Sequence, residues 1–431
     1  MTRVNLRSIP TRWKISILLL LITTINYIDR LTFSIVAPTV MEEFELSNTD
    51  YGNLSAAFLF AYAFGQLFGG RLIDALGTKR ALTIAVVMWS IAGMLHAFGQ
   101  GFRSFFLFRV LLGFGEAANF PAANKAIAEW FPATERSLAV GIVTAGPGLG
   151  SILAPPIVAF LVVMLSWQWA FIITGLIGFV WLWFWHRIYY SPEDHPDLSR
   201  QDPEEPTEAV NTTDQPAKSW FEFFKYPETW GLMLSRFFAD GAFYFLIFWL
   251  PLYLANERGL DIKAIGLFAW IPFVAADLGS LLGGWTGKKL IDKGMSLNAA
   301  RKLVIWIGAL LVLAIVPAAD TESTATFIGL ICIGLFAIQF KSSNLFTLPA
   351  DMFAAKEVAT IWGIFGAAGS LGGALFQSQV GVLIDTFSYQ PVFLAVGSMH
   401  IVSALAVMIF IPRISKLEPR INSRRSENSR K

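Results

Sequence analysis

The chain of 431 residues holds one cysteine and four histidines, and only 15% of its residues are charged. A lone Cys332 leaves no partner for an intrachain disulfide and no thiolate cluster for a metal. His96 and His400 fall singly in or at the ends of apolar runs, where they read as packing residues, and no nucleophile-base motif accompanies them. An enzyme is therefore not expected, nor is a metal or an organic cofactor. The formal net charge of +2 offers no basic field for a nucleic acid. With 55% hydrophobic residues, 38 Phe and 15 Trp, the chain has too little polar side chain to cover a soluble globule of its length. The composition is that of a polytopic membrane protein.

About twenty apolar residues cross the hydrocarbon core as a helix. Twelve stretches qualify: 14–40, 51–71, 81–100, 104–130, 137–164, 168–190, 229–254, 264–286, 303–318, 325–350, 358–384 and 392–412. The first follows Arg3, Arg7, Arg12 and Lys14 as a secretory signal would, but it is too long, Asp29-Arg30 interrupts it, and no small-residue cleavage pattern follows. With both termini in the cytoplasm, the inside segments carry about 25 Lys and Arg and the outside loops about three, namely Arg103, Arg258 and Lys263. The positive-inside rule thus implies a multi-pass plasma (inner) membrane protein with both termini cytoplasmic.

The apolar pattern fails between two groups of six spans. The expected organisation is a first six-helix bundle over 1–190, a cytoplasmic linker over 191–226, a second six-helix bundle over 227–415 and a basic cytoplasmic tail over 416–431. The halves repeat one another. Gly141 through Gly150 aligns with Gly363 through Gly372, and Gly52 through Gly70 with Gly266 through Gly284. Halves repeated in one orientation are a common plan of secondary transporters, with the site between them near mid-membrane. The fold class is accordingly all-α, with twelve transmembrane helices in two pseudo-symmetric bundles. The glycine-rich runs themselves read first as places where helices pack closely.

Near the middle of the first span, Asn26-Tyr27-Ile28-Asp29-Arg30 places an acid and a base where the bilayer is deepest. Such charges cost roughly 2.5 to 3.5 kcal/mol each and face a protein interior or a watery cavity. Arg109 and Glu116 in span four, Arg236 and Asp240 in span seven, and Asp277 in span eight are further charges of this kind. Span ten is polar throughout, with Gln339, Lys341, Ser342, Ser343, Asn344 and Thr347.

After span two, Gly70-Arg71-Leu72-Ile73-Asp74-Ala75-Leu76-Gly77-Thr78-Lys79-Arg80 resembles the signature loop of the major facilitator superfamily, with Ala75 where a basic residue is usual. Its Asp74, Gly77, Lys79 and Arg80 form a conformational loop able to bridge helix ends in one state and release them in another. Gly287 through Gly294 is a degenerate copy. Within that superfamily the chain resembles the anion:cation symporters. Asn26-Tyr27 with Asp29-Arg30, Tyr62, Arg109 and Gly115-Glu116-Ala117 carry the likeness. Ser235-Arg236-Phe237 with Asp240, Phe248-Trp249-Leu250-Pro251 and Asn344 with Asp351 are similar to hexuronate transporters.

That resemblance implies a proton-coupled symporter importing a small anionic sugar acid, a hexuronate or an aldonate or aldarate, with the proton as coupling ion and the lipid bilayer as surroundings. A monomer is expected to suffice. Arg30 would bind the carboxylate, since its planar fork suits two carboxylate oxygens. Tyr27, one turn away, and Tyr62 would contact hydroxyls, with Ser343, Asn344 and Gln339 across the cavity. Asp29 and Glu116 are the proton-coupling candidates. Burial pulls Glu116 toward its neutral form, and Arg109, seven residues earlier on nearly the same face, pulls it back. Arg109 and Glu116 form either part of this coupling or a brace.

Arg236 and Asp240, at i and i+4, make an ion pair easy, as brace or as site rim. Asp277 either lines the cavity or pairs with Arg236. Lys341 replaces an expected aromatic residue and either grips a second acidic group, as in an aldarate, or pairs with an acid. An organic-phosphate or organic-anion antiporter, gripping phosphate with Arg30 and Lys341, is the rival transport reading. A sensor that binds without flux is the rival of another class.

Overall fold

The computed structural model describes residues 10–192 and 220–417. Most of the expected linker, 193–219, and the tail from 418 lie outside the described residues, as do Arg3 and Arg7.

The first bundle comprises α1 (Thr11–Glu43), α2 (Asn48–Leu76), α3 (Thr78–Leu95), α4 (Phe102–Glu116), α5 (Asn119–Trp130), α6 (Ala133–Thr144), α7 (Gly146–Met164) and α8 (Trp167–Ile188). A short α9 (Trp220–Phe223) leads into the second bundle. That bundle comprises α10 (Pro227–Asn256), α11 (Ile262–Phe268), α12 (Ile271–Asp292), α13 (Leu297–Val312), α14 (Thr324–Leu345), α15 (Leu348–Met352), α16 (Ala355–Thr386) and α17 (Gln390–Phe410). Helices alone satisfy every backbone group within a lipid-crossing segment. The polar helix starts are capped as their sequences dictate: Ser47 and Asp50 form a capping box on α2, Asp261 accepts from Ala264 N at 2.8 Å, and Ser296 and Ser323 cap α13 and α14.

Spans four, five, eight and ten, expected as continuous, are each two helices in series. Each second helix begins just before a proline: Pro121 in α5, Pro147 in α7, Pro272 in α12 and Pro349 in α15. Proline lacks the N–H that would continue the preceding ladder and fits the first turn of a new helix, so the break falls at 117–118, 145, 269–270 and 346–347. Among the described residues, eleven segments are long and apolar enough to cross a membrane by composition. The pair α4–α5 is the exception, because it carries Arg103, Arg109, Glu116, Lys125 and Glu129.

The bundles meet along two seams. In one, α2 lies against α16: Gly52 faces the backbone of Gln377 and Gly381, Leu59 meets Gly373, and Gln66 meets Gly366. In the other, Gly266 of α11 faces Ala159 of α7, and Asp277 of α12 faces Gly148. Polar bonds between bundles concentrate at one end. There the Asp385 carboxylate accepts from Asn48 Nδ2 at 2.9 Å, Thr49 N at 2.8 Å and Thr49 Oγ1 at 2.6 Å. Tyr51 of α2 also donates across to the Phe248 carbonyl of α10 at 2.6 Å. At the opposite end the ion pairs named for the described residues stay within a bundle: Lys125–Asp74 at 2.7 Å, Arg12–Glu135 at 2.9 Å and Arg301–Asp351 at 3.0 Å. One end of the interface is locked and the other is not.

The loop at the unlocked end turns on Gly77, whose φ of +77° lies in the left-handed region that a side chain disfavours. Asp74 binds Lys125, and Lys79 donates to the His186 carbonyl at 3.2 Å while lying 3.8 Å from the Tyr190 ring centroid. Asp74 and Lys79 thus tie α2 and α3 to α5 and α8. Arg80 is exposed.

Asp385→Ala removes three hydrogen bonds from the locked end, a loss of about 1–2 kcal/mol after exchange with water. The population open at that end is expected to rise about tenfold. Spin labels at exposed Glu42 and Phe387 in a Cys332→Ser background read the distance, and an unchanged distribution would dismiss the latch.

Candidate functional site

Arg30 lies midway along α1 and is 1% exposed. Its Nε donates to Glu116 Oε2 at 2.9 Å, and Nη2 lies 2.9 Å from the same oxygen. Glu116 closes α4 at the proline-linked break and is wholly buried, with Oε1 lacking a partner. Aromatic rings wall the guanidinium: Tyr27 at 4.5 Å, Tyr62 at 4.7 Å and Phe58 at 5.1 Å from centroid to Cζ. Stacked rings hold a guanidinium in plane while leaving its edge free for carboxylate oxygens.

The expected pairing of Glu116 with Arg109 is not found. Arg109, fully buried, points among Phe58, Phe33 and Phe248, at 4.5, 5.1 and 5.6 Å, and none of its three guanidinium nitrogens has a hydrogen-bond partner. Seven residues along a helix bring two side chains to one face, but the neighbouring α1 supplied a nearer cation. Nor does Arg30 neutralise Asp29. One residue turns a helix by about 100°, so Asp29 faces Trp89 and Thr174, with both carboxylate oxygens unpartnered. The first bundle therefore buries two acids and two arginines, of which one pair is closed.

In the second bundle Arg236 Nε donates to Asp240 Oδ2 at 2.8 Å, as the i, i+4 spacing predicts. The pair is only 15% and 11% exposed by side chain, and Phe365, Phe346 and Trp362 surround Arg236. A Cβ at Gly369 would strike the Asp240 carboxylate, so that glycine lets the acid lie against α16. Asp277 does not pair with Arg236. It is half-buried on the other seam against Gly148.

Span ten departs from expectation. Asn344 is fully buried with its amide committed, Nδ2 donating to the Gly283 carbonyl at 2.8 Å and Oδ1 accepting from Arg301 at 3.0 Å. Ser343 donates to the Phe340 carbonyl at 2.9 Å and lies against Gly283. Both face α12 and α13 rather than the interface between bundles. Lys341 is fully buried and turned toward α13 and α17, donating to Ser403 Oγ at 2.6 Å. A helix polar on every side gave no rotational mark. Gln339 is half-buried.

One residue passed over is Tyr244 of α10. It is 7% exposed, stacks on Phe248 at 5.8 Å, and its ring lies beside Gly373, where Leu59 of α2 also reaches. Its signal was available: Arg236, Asp240 and Tyr244 recur at four-residue intervals on one helical face. The candidate site thus centres on Tyr27, Arg30, Tyr62 and Glu116 of the first bundle, and Tyr244 of the second reaches it through the rings of Phe248 and Phe58.

Two repeated bundles, locked at one end around a buried cation walled by tyrosines, define a secondary transporter rather than an enzyme. The chain belongs to the major facilitator superfamily, whose family model matches residues 19–377. It is 35% identical to the hexuronate transporter of Escherichia coli (strain K12) over 404 residues, 92% of this chain and 93% of that one. It is 28% identical to the D-galactonate transporter of Escherichia coli O6:H1 over 418 residues, 94% and 97% of the two chains. Among solved structures, the inward-open xylose transporter XylE of E. coli aligns at a TM-score of 0.74 and 16% identity, covering 93% of this chain and 96% of that one. A bacterial homologue of the human lysosomal transporter Spinster aligns at 0.73 and 20% identity, covering 94% and 96%. The fold is that of these transporters.

Replacing Arg30 by Met leaves Glu116 buried without its cation, a loss of about 3–5 kcal/mol. The melting temperature of the purified protein is expected to fall and to recover in Arg30→Met/Glu116→Gln. Equal melting of the single and double variants would show that the pair is not closed.

Proposed function

We propose that this protein is a proton-coupled symporter for a sugar acid with one carboxylate, a hexuronate before an aldonate, working by alternating access. The observation that carries the reading is Arg30, held 2.9 Å from Glu116 between the rings of Tyr27 and Tyr62. A proton on Glu116 dissolves the ion pair and frees the guanidinium fork for the substrate carboxylate. Asp29, buried and unpartnered, is the second proton carrier. The sugar hydroxyls meet the phenols of Tyr27 and Tyr62 and, as the bundles close, that of Tyr244. Similarity to hexuronate and galactonate transporters supports this chemistry.

A single-carboxylate substrate fits the cations better than an aldarate or a phosphate. Arg236 is bound to Asp240, Lys341 is turned away to Ser403 and Arg109 points among Phe33, Phe58 and Phe248, so Arg30, between the tyrosine rings, is the cation offered for contact. The same geometry weakens the antiporter in which Arg30 and Lys341 grip phosphate together. With the Asp74 loop on the cytoplasmic side, as the positive-inside rule asks, the Asp385 latch closes the outer end and the described state faces inward. The protein then works as a monomer in the inner membrane.

Arg30→Ala is expected to abolish uptake of labelled D-glucuronate into vesicles. Glu116→Gln should keep counterflow exchange and lose accumulation driven by a pH gradient. Normal transport by the first variant would sink the site, and concentrative uptake by the second would move the coupling proton to Asp29. For the wild type, substrate addition should raise the pH outside the vesicles, whereas exchange indifferent to protons would favour the antiporter.

A further inference from the structure

The seam between α2 and α16 ends on a polar contact. Ser370 Oγ of the second bundle donates to Gln66 Oε1 of the first at 3.4 Å, and a Cβ added at Gly366 would lie 3.2 Å from the same oxygen. One turn further toward the unlocked end, a Cβ at Gly70 or at Gly363 would meet nothing within 4 Å, so the two helices part here. Ser370 is 2% exposed and Gln66 is half-buried. A helical serine commonly returns its proton to a carbonyl of its own preceding turn, as Ser378 and Ser398 do, but Ser370 sends its proton across the interface. Gln66 Nε2 has no hydrogen-bond partner among the described residues, and Ser370 Oγ keeps its acceptor capacity. The contact borders the candidate site from both bundles. Tyr62, whose ring lies 4.7 Å from Arg30 Cζ, precedes Gln66 by four residues on one face of α2. On α16, Gly373 abuts the Tyr244 ring three residues after Ser370.

We infer that Gln66 and Ser370 form a hydroxyl-reading subsite shared between the bundles, which takes a sugar hydroxyl distant from the carboxylate held by Arg30. A hydroxyl has one proton to give and lone pairs to receive, so it accepts from Gln66 Nε2 and donates to Ser370 Oγ in place of their long mutual bond. Four residues advance about 6 Å along a helix, so the step from Tyr62 to Gln66 matches the reach of a six-carbon acid from its carboxylate to its far hydroxyls. Arg30 then reads the acid and this couple reads the sugar. A site built to hydrogen-bond one hydroxyl rejects the analogue that lacks it, because its own polar groups are left unpaired. Since one partner comes from each bundle, the hydroxyl also joins α2 to α16 where their seam gives out.

This rests on the sugar-acid reading above, and the test separates the two. The full-length protein in detergent is titrated with D-glucuronate and with a series of its deoxy analogues, each lacking one hydroxyl, and dissociation constants are read from tryptophan fluorescence. Gln66→Met is expected to weaken glucuronate binding about tenfold, the worth of one good hydrogen bond. One analogue should bind the wild type about tenfold more weakly than glucuronate and lose nothing further in Gln66→Met. Ser370→Ala should single out the same analogue, and the double variant should lose less than the two single losses combined, because both side chains hold one hydroxyl. Should Gln66→Met fail to fold, Ser370→Ala carries the same comparison alone. A seam brace without substrate contact would weaken every member of the series equally, and that result, or no loss with either variant, would overturn the inference. A wild type that binds no sugar acid would overturn the sugar-acid reading instead.

Discussion

The ion pair between Arg30 and Glu116 is the constraint around which the rest is arranged. Two opposite charges out of water are tolerated only when they meet in good geometry, and removing one strands the other. The chain meets this demand with several independent features. Tyr27, Tyr62 and Phe58 wall the guanidinium, and the proline after Glu116 ends α4 so that the carboxylate reaches α1. A carrier needs an interaction stable enough to fold around and labile enough to exchange. On the proposed function, a pair whose anion gives way to a substrate carboxylate meets both needs.

The internal repeat explains how two bundles share one interface. Gly52 and Gly266, aligned in the two halves, occupy equivalent places, each pressed against a helix of the opposite bundle at the locked end. Gly150 and Gly372, also aligned, receive the first helix of their own bundle, α1 against α7 and α10 against α16. Reading the glycine-rich runs as packing surfaces was therefore right, yet packing and site are not separate: Gly148 admits Asp277 and Gly369 admits Asp240. Small residues decide how near the charged ones can come.

What the sequence disclosed and withheld follows from periodicity. The twelve spans, the repeat and Arg30 were legible because apolar length, self-similarity and a charge at mid-membrane are properties of the chain itself. Arg236–Asp240 was legible because both partners share one helix. The partner of Glu116 was not, since choosing Arg30 over Arg109 depends on the rotation of α1 against α4. Span ten was misread for a related reason. Lys341, Ser343 and Asn344 ring a helix polar on all sides, and only packing against α12, α13 and α17 decides which of them face the opposite bundle. The helix breaks were encoded, in prolines that length counting alone had passed over.

At about 1.5 Å per residue, the α2–α16 seam from Asn48 to Gln66 is about 27 Å long, against a hydrocarbon core of about 30 Å. Nearly the whole membrane depth is thus occupied by closed seam. A rigid bundle that reverses its opening must peel this contact from the Asp385 end inward, much as a zipper runs, with a fulcrum that migrates toward mid-membrane as contacts part. The work of reopening is therefore spread along α2 and α16 rather than concentrated at one barrier, and each glycine contact adds a small increment to it. Turnover would then be tuned by substitutions far from any substrate atom, such as at Gly52 or Gly381, whose added methyl groups would shorten the seam and tilt the carrier toward its other face.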